Sequence, residues 1–124
     1  MPLPQLNEFI SGRKWGNSFI QHPDWRALYI RVTERYIHGK KVPTIDLASI
    51  EARMPGNGAF RRLVDHLHRT YMTRGIFVES VLTKRFAEGL KRMGFEEIHP
   101  ELPAPSFYFP AKQPESEAWV GHGD

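Results

Sequence analysis

A single mixed α+β domain is the fold class this sequence predicts, and three observations carry it. Leu28, Ile30 and Val32 alternate with Tyr29, Arg31 and Thr33, the period of two that marks a strand. Phe60, Leu63, Val64, Leu67 and Tyr71 recur at helical spacing and make one apolar stripe. The short apolar run Ile76-Phe77-Val78 follows that helix, so a right-handed crossover lays it parallel to the strand preceding the helix. At 124 residues the chain fits one domain with material for a real core.

The elements follow in order. Residues 1–24 read as a short irregular leader with one helix, in which Leu3, Leu6, Phe9 and Ile10 share a face and Ser11-Gly12 is the stop. Trp15-Gly16 and His22–Trp25 read as loop, with the two tryptophans covering the edge of the core. Residues 25–110 form the core domain. It opens on a hairpin: a strand from Arg26, a turn at His38-Gly39-Lys40-Lys41, and a second strand from Val42 to Ala52. Ile45 and Leu47 fall on one face of that second strand, and Ala48, Ile50 and Ala52 on the other. Apolar groups on both faces make it a central strand. The striped helix runs from Ala59 to Arg74, with Gly75 as its C-terminal cap.

After the short strand, which ends near Ser80, a second helix covers Thr83 to Met93. Leu82, Phe86, Leu90 and Met93 face inward, and Gly94-Phe95 ends it. Phe95–His99 and Ser106–Phe109 form a last strand pair around the proline-rich stretch between them, and residues 111–124 are a flexible tail.

Bulk properties narrow the function classes. With no cysteine there is neither a disulfide framework nor a thiolate metal site. His66 and His68 lie two apart on a helix and point in different directions, so no metal pattern emerges. No apolar run approaches the roughly eighteen residues of a membrane helix, and the first residues lack the pattern of a signal peptide. A cytoplasmic protein without a membrane partner is the expectation. The formal charge of +3 leans basic, but the cations are scattered rather than gathered into a run.

One stretch carries chemistry. Gly56-Asn57-Gly58 sits between a strand and a helix, and two glycines let the backbone come close to a ligand. The helix after it aims unpaired N–H groups and a positive dipole end at the same place, which favours a phosphate. Arg61 and Arg62 open that helix, and Lys84 and Arg85 open the next. Cations there oppose the dipole by about 0.3–1 kcal/mol each when exposed. Two such pairs beside a glycine loop point to a polyanionic ligand.

The order hairpin, glycine loop, helix, strand, helix, Gly-Phe, strand resembles the GNAT superfamily of N-acetyltransferases. More narrowly, it looks like the short acetyltransferase-like proteins of phages and bacteria. The residues behind the resemblance are Thr44–Glu51, Pro55–Phe60, Val78–Leu82 and Lys91–Phe95. It implies a mixed, mostly antiparallel sheet with a central parallel pair splayed apart, and acetyl-CoA as co-substrate. The family's loop pattern, Gln/Arg-x-x-Gly-x-Gly/Ala, is met by Arg53-x-x-Gly56-x-Gly58, while the helix register favours Pro55–Phe60 as the loop. In both registers Gly56, Asn57 and Gly58 cradle the pyrophosphate, with Ala59, Phe60, Arg61 and Arg85 beside it. By resemblance Ile50 and Ala52 supply main-chain contacts to the pantetheine arm, and Thr83 stands where many members have an Asn.

The chain departs from the family at Leu90, where many members carry a Tyr that protonates the leaving thiolate; a leucine closes that route. Tyr108 and Ser106 are replacements or plain strand residues. Glu79 and Glu51, flanked by apolar residues on the two splayed strands, are the candidate bases. Glu79 equally suits free backbone or an arginine as partner, and Asp46 faces either the acceptor groove or a neighbouring strand.

The leading reading is therefore an acetyl-CoA-dependent N-acetyltransferase acting on an unknown amine. A protein or peptide amine suits the open groove left by a short leader. The alternative is a non-catalytic binding protein on the same fold. A nucleic-acid module has only the scattered cations behind it. Trp15, Trp25 and Phe107-Tyr108-Phe109 are candidates for a dimer surface.

Overall fold

The computed structural model describes residues 4–10, 16–54, 56, 58–81, 83–98 and 104–112. Three helices and six strands occur among them: α1 (Pro4–Ile10), β1 (Gly16–Phe19), β2 (Trp25–Ile37), β3 (Lys40–Ala52), α2 (Ala59–Thr70), β4 (Gly75–Val78), α3 (Lys84–Arg92), β5 (Glu96–Ile98) and β6 (Ser106–Phe109). The strands form one sheet in the order β1-β2-β3-β4-β6-β5. Only β3 and β4 are parallel, and the remaining neighbours are antiparallel. The mixed α+β sheet expected from the sequence is the observed one.

The hairpin β2–β3 is the backbone of the sheet. Its turn has two residues, His38 and Gly39, with φ of 51° and 79°. Positive φ at both central positions is the geometry whose twist matches paired strands. The strand therefore resumes at Lys40, two residues before the expected Val42. The tip curls over one face of the sheet, where His38 Nε2 lies 2.7 Å from Glu96 Oε2 on β5. Ile37 packs there with Phe77 and Tyr108 in a small apolar cluster.

The other face holds the main core. Alternate residues of β2, β3 and β4 (Ile30, Val32, Ile45, Leu47, Ile76 and Val78) meet Ile10 of α1, Leu63 and Leu67 of α2, and Leu90 of α3. All three helices thus cover one side of the sheet. Asn7 secures α1 to α2: its Oδ1 lies 2.8 Å from both His66 Nε2 and the Tyr71 hydroxyl.

Four local expectations are corrected. Gly16, read as loop, begins edge strand β1, which pairs with Tyr29–Val32 of β2. The helix α2 stops at Thr70, and Gly75 is the first residue of β4 rather than a helix cap. The Tyr108 ring lies on it, so a Cβ there would stand 2.5 Å from Cε1. Trp25, Phe107 and Tyr108 are buried and offer no dimer surface, while Trp15 lies outside the described residues. Lastly, Ile50 and Ala52 share a face with Ile45 and Leu47. The β2–β3 register slips by one between Tyr29, opposite Ser49, and Ile30, opposite Leu47. Ala48 is the extra residue of a β-bulge, and one inserted residue flips all later side chains to the other face.

Candidate functional site

The bulge and the end of β4 create a fork in the sheet. β4 pairs with Thr44–Leu47 of β3, and Glu79 N–H donates to the Leu47 carbonyl at 3.3 Å as the last rung. Beyond it β3 continues to Ala52 against β2 alone. The orientation of the exposed edge follows from the ladder. The Leu28 carbonyl accepts from Ile20 N–H on the β1 side, and Leu28 stands opposite Ile50. Antiparallel pairs alternate between bonded and non-bonded, so the N–H and C=O of Ile50 point away from β2, into the fork.

A cleft of about 480 Å³ opens at this edge on the helical face. Ile50 and Ala52 form its floor, and Gly56, Gly58, Ala59, Phe60 and Arg61 one wall. Thr83, Phe86, Gly89 and Leu90 of the α3 region form the other. The loop has the backbone that only glycine adopts freely, with φ of 90° at Gly56 and 87° at Gly58. Gly58 is the N-cap of α2 and gives no side-chain cap, which leaves that helix end open to a ligand. The α3 end differs: Thr83 Oγ1 accepts from Phe86 N–H at 3.3 Å and so caps the helix.

Of the other expected contacts, Arg53 and Arg85 are exposed and lie beside the cleft lining rather than in it. Asn57 lies outside the described residues, as does Leu82. Arg62, 3.7 Å from Asp24, is drawn toward the β1–β2 connection. Sequence reasoning missed Trp25, Gly89, Arg92 and Met93, which also line the cleft. Met93 and Phe86 sit on the inward stripe of α3, and that stripe was the available signal. Trp25 was read as an edge cover, yet its indole N–H is buried without a partner among the described residues. A buried donor of this kind calls for an acceptor from elsewhere.

The two candidate carboxylates have different surroundings. Glu51 is 62% exposed, and its Oε2 lies 3.5 Å from Arg26 Nε on the neighbouring strand. Glu79 stands at the fork on the helix-free face, where Oε2 accepts from Arg31 Nη1 and, at 2.8 Å, from Arg35 Nη2. Asp46, fully buried, completes the cluster: Oδ2 accepts from Arg35 Nε at 2.8 Å and Oδ1 from the Thr44 hydroxyl at 2.8 Å. Burial raises the Asp46 carboxyl above its ordinary range, and the bond and charge of Arg35 work against that rise. Arg35 also lies 4.1 Å over the Phe77 ring.

Ser106 and Tyr108 are separated by the strand. Ser106 Oγ accepts from Ser80 N–H at 3.4 Å. Burial, then the charge of Glu96, raises the Tyr108 phenol above its usual value. Among the described residues no group of three His, Cys, Asp or Glu side chains is placed to hold a metal, and no helix is long and apolar enough to cross a membrane.

No protein family and no curated protein matches the chain by sequence. Two solved structures share its fold. One is a mutant of the toxin AtaT bound to the C-terminus of the antitoxin AtaR: TM-score 0.50 and 20% identity, over 78% of this chain and 65% of that one. The other is the KacTA–DNA complex: TM-score 0.52 and 20% identity, over 97% of this chain and 80% of that one. The fold is thus GNAT-like. The narrower expectation, a short acetyltransferase-like protein of the phage and bacterial kind, is corrected: the likeness is to proteins of toxin–antitoxin complexes. The residues quoted for it build the strands, loop and helices of the fold itself, so they carry the fold and not the subtype.

Proposed function

We propose that the chain is an acetyl-CoA-dependent N-acetyltransferase. The observation that carries the reading is the convergence, in one cleft, of the free β3 edge at Ile50, the positive-φ glycines Gly56 and Gly58, and the open end of α2. The cleft is of the size that holds a substantial part of an extended ligand. Its donor set suits acetyl-CoA: amides at a helix start for a diphosphate, Arg61 and Arg92 on the lining for charge, and strand backbone for the amides of the pantetheine arm. The orphaned Trp25 N–H adds a donor beside it. Bound there, acetyl-CoA would supply an activated acetyl group as a thioester.

The protein's own part is to position and to exclude water. Gly56, Gly58, Ala59 and Phe60 would hold the diphosphate, Ile50 and Ala52 would align the arm, and Phe60 and Phe86, stacked edge to face at 5.2 Å, close the apolar wall. Transfer forms a bond between amine nitrogen and acetyl carbon and breaks the carbon–sulfur bond. The ammonium yields one proton to solvent, and the nitrogen's second proton ends on the departing thiolate. Leu90 lines the cleft without a proton to give, so water is the proton source on that side.

Titration calorimetry with acetyl-CoA tests the reading, with Gly58→Asp as the control. A Cβ at Gly58 would meet Arg62 Nη1 at 3.1 Å on a strained backbone, and a carboxylate would oppose a diphosphate. Wild-type binding that the variant loses, with unchanged circular dichroism, is the expected result. No heat from the wild type refutes the proposal.

A second reading, a non-catalytic binding protein, has an observation of its own: both candidate carboxylates are already ion-paired, Glu51 with Arg26 and Glu79 with Arg31 and Arg35. The likeness to a toxin held by an antitoxin supports a protein partner under either reading. Binding of acetyl-CoA with no acetyl transfer to any amine would favour the second.

A further inference from the structure

The helix-free face carries its own cavity, of about 390 Å³, under the curled tip of the β2–β3 hairpin. Phe77 places it there, because its neighbours Ile76 and Val78 point into the main core and successive strand residues face opposite sides. Ile37, Phe77 and Ile98 make the cavity apolar on one side. Glu79, Ser80 and Ser106 bound it at the fork, and Glu34 stands on the hairpin wall. Two clefts therefore meet one fork from opposite faces of the sheet.

Their polarity is opposite as well. The first cleft is lined by Arg61 and Arg92, with Arg53, Lys84 and Arg85 exposed around it. In the second, the one lining cation is Arg35, and its guanidinium is taken up by Asp46, Glu79 and the Phe77 ring. Glu79 is held so that Oε2 receives both arginines, while Oε1 has no partner among the described residues. An oxygen so fixed and so left over is an acceptor waiting for a donor. Beside it Ser80 holds a φ of 49°, uncommon for a residue with a side chain and found most often where function holds it.

We infer that this second cavity seats the acceptor, a primary amine carried next to an apolar body, with Glu79 Oε1 as the amine's hydrogen-bond partner and Arg31 and Arg35 as positioning residues. The inference rests on the acetyltransferase reading. The amine reaches the fork from the face opposite the thioester, where Glu79 holds it as an ammonium. It sheds a proton to water through the cavity mouth, and its nitrogen then takes the acetyl carbon as the carbon–sulfur bond breaks. Such an amine comes either as a small free molecule or as the first residue of a peptide.

The test uses the full chain with two probes, 2-phenylethylamine and an amidated tripeptide beginning with phenylalanine, against a tripeptide beginning with aspartate. Acetylation of either phenyl-bearing probe at least tenfold better than the acidic one is expected, and the better of the two names the source. Glu79→Gln, which keeps the shape and loses the charge, should raise the KM for the amine about tenfold and leave the acetyl-CoA affinity unchanged. Because Glu79→Gln touches a buried ion cluster, Ile98→Trp serves as a second variant: it fills the cavity, and the same KM should rise while acetyl-CoA binding holds. If acetyl-CoA binds and is consumed but neither variant moves the amine KM, or the acidic peptide reacts equally well, the amine seat is refuted and the transferase reading stands. If acetyl-CoA does not bind, both fall together.

Discussion

At Gly75 the Tyr108 ring occupies the space a side chain would need, with Cε1, Oη and Cζ all within 3 Å of an ideal Cβ. Both residues are buried in the sheet, so neither moves without disturbing β4 or β6. Gly75→Ala should cost about 1–3 kcal/mol, the usual penalty of overpacking, read as a lower midpoint in urea denaturation with an unchanged slope. His66 supplies a pH dependence. Its burial, reinforced by the charge of Arg69, lowers its pKa below the ordinary 6.5. The unfolded chain then holds the proton more tightly than the folded one, so stability is whole above about pH 6.5 and is lost as pH falls through the lowered value. His66→Gln should flatten that decline in melting experiments run from neutral to mildly acid pH. A decline equally steep in the variant would assign it to other groups.

The elements differ in how plainly the sequence announced them. α2 was legible because five apolar residues at helical spacing leave one way to bury them, and all of them pack into or against the core. Its end was not, since Gly75 reads as a helix cap although a ring packed against it is what requires a glycine there. The Ala48 bulge left no mark at all: apolar residues run on through Ala48, Ile50 and Ala52, and only pairing with β2 reveals which of them is the extra one. That bulge re-aims the end of β3 and opens the fork. Deleting Ala48 should restore an unbroken register, turn Ile50 and Ala52 away from the core, and abolish acetyl-CoA binding along with some stability. A deletion variant that binds acetyl-CoA as the parent does would show that the fork needs no bulge.

For the molecule as a whole, charge divides between the faces. Cations surround the cleft on the helical face, while Asp46 and Glu79 neutralise Arg31 and Arg35 on the other. A polyanion bound among exposed cations is sensitive to screening, and the Debye length is about 10 Å at 0.1 M salt. Acetyl-CoA affinity measured by calorimetry should weaken several-fold between low and high potassium chloride. Affinity independent of salt would mean that the exposed arginines play no part.

The candidate cleft was legible in outline, because a glycine loop before a helix is a local pattern. Trp25, Gly89 and Arg92 were not, because they come to the cleft from separate elements. The ion cluster was hidden for the same reason: Arg31, Asp46 and Glu79 lie on three different strands, and each alone reads as an ordinary charged residue. The sequence by itself determined the elements, the parallel pair and the loop, since periodicity and glycine act over a few neighbouring residues. Only the tertiary structure decided the bulge, the fork and the pairing of charges. Those depend on which strand lies beside which, and burial forces each of those contacts to be satisfied.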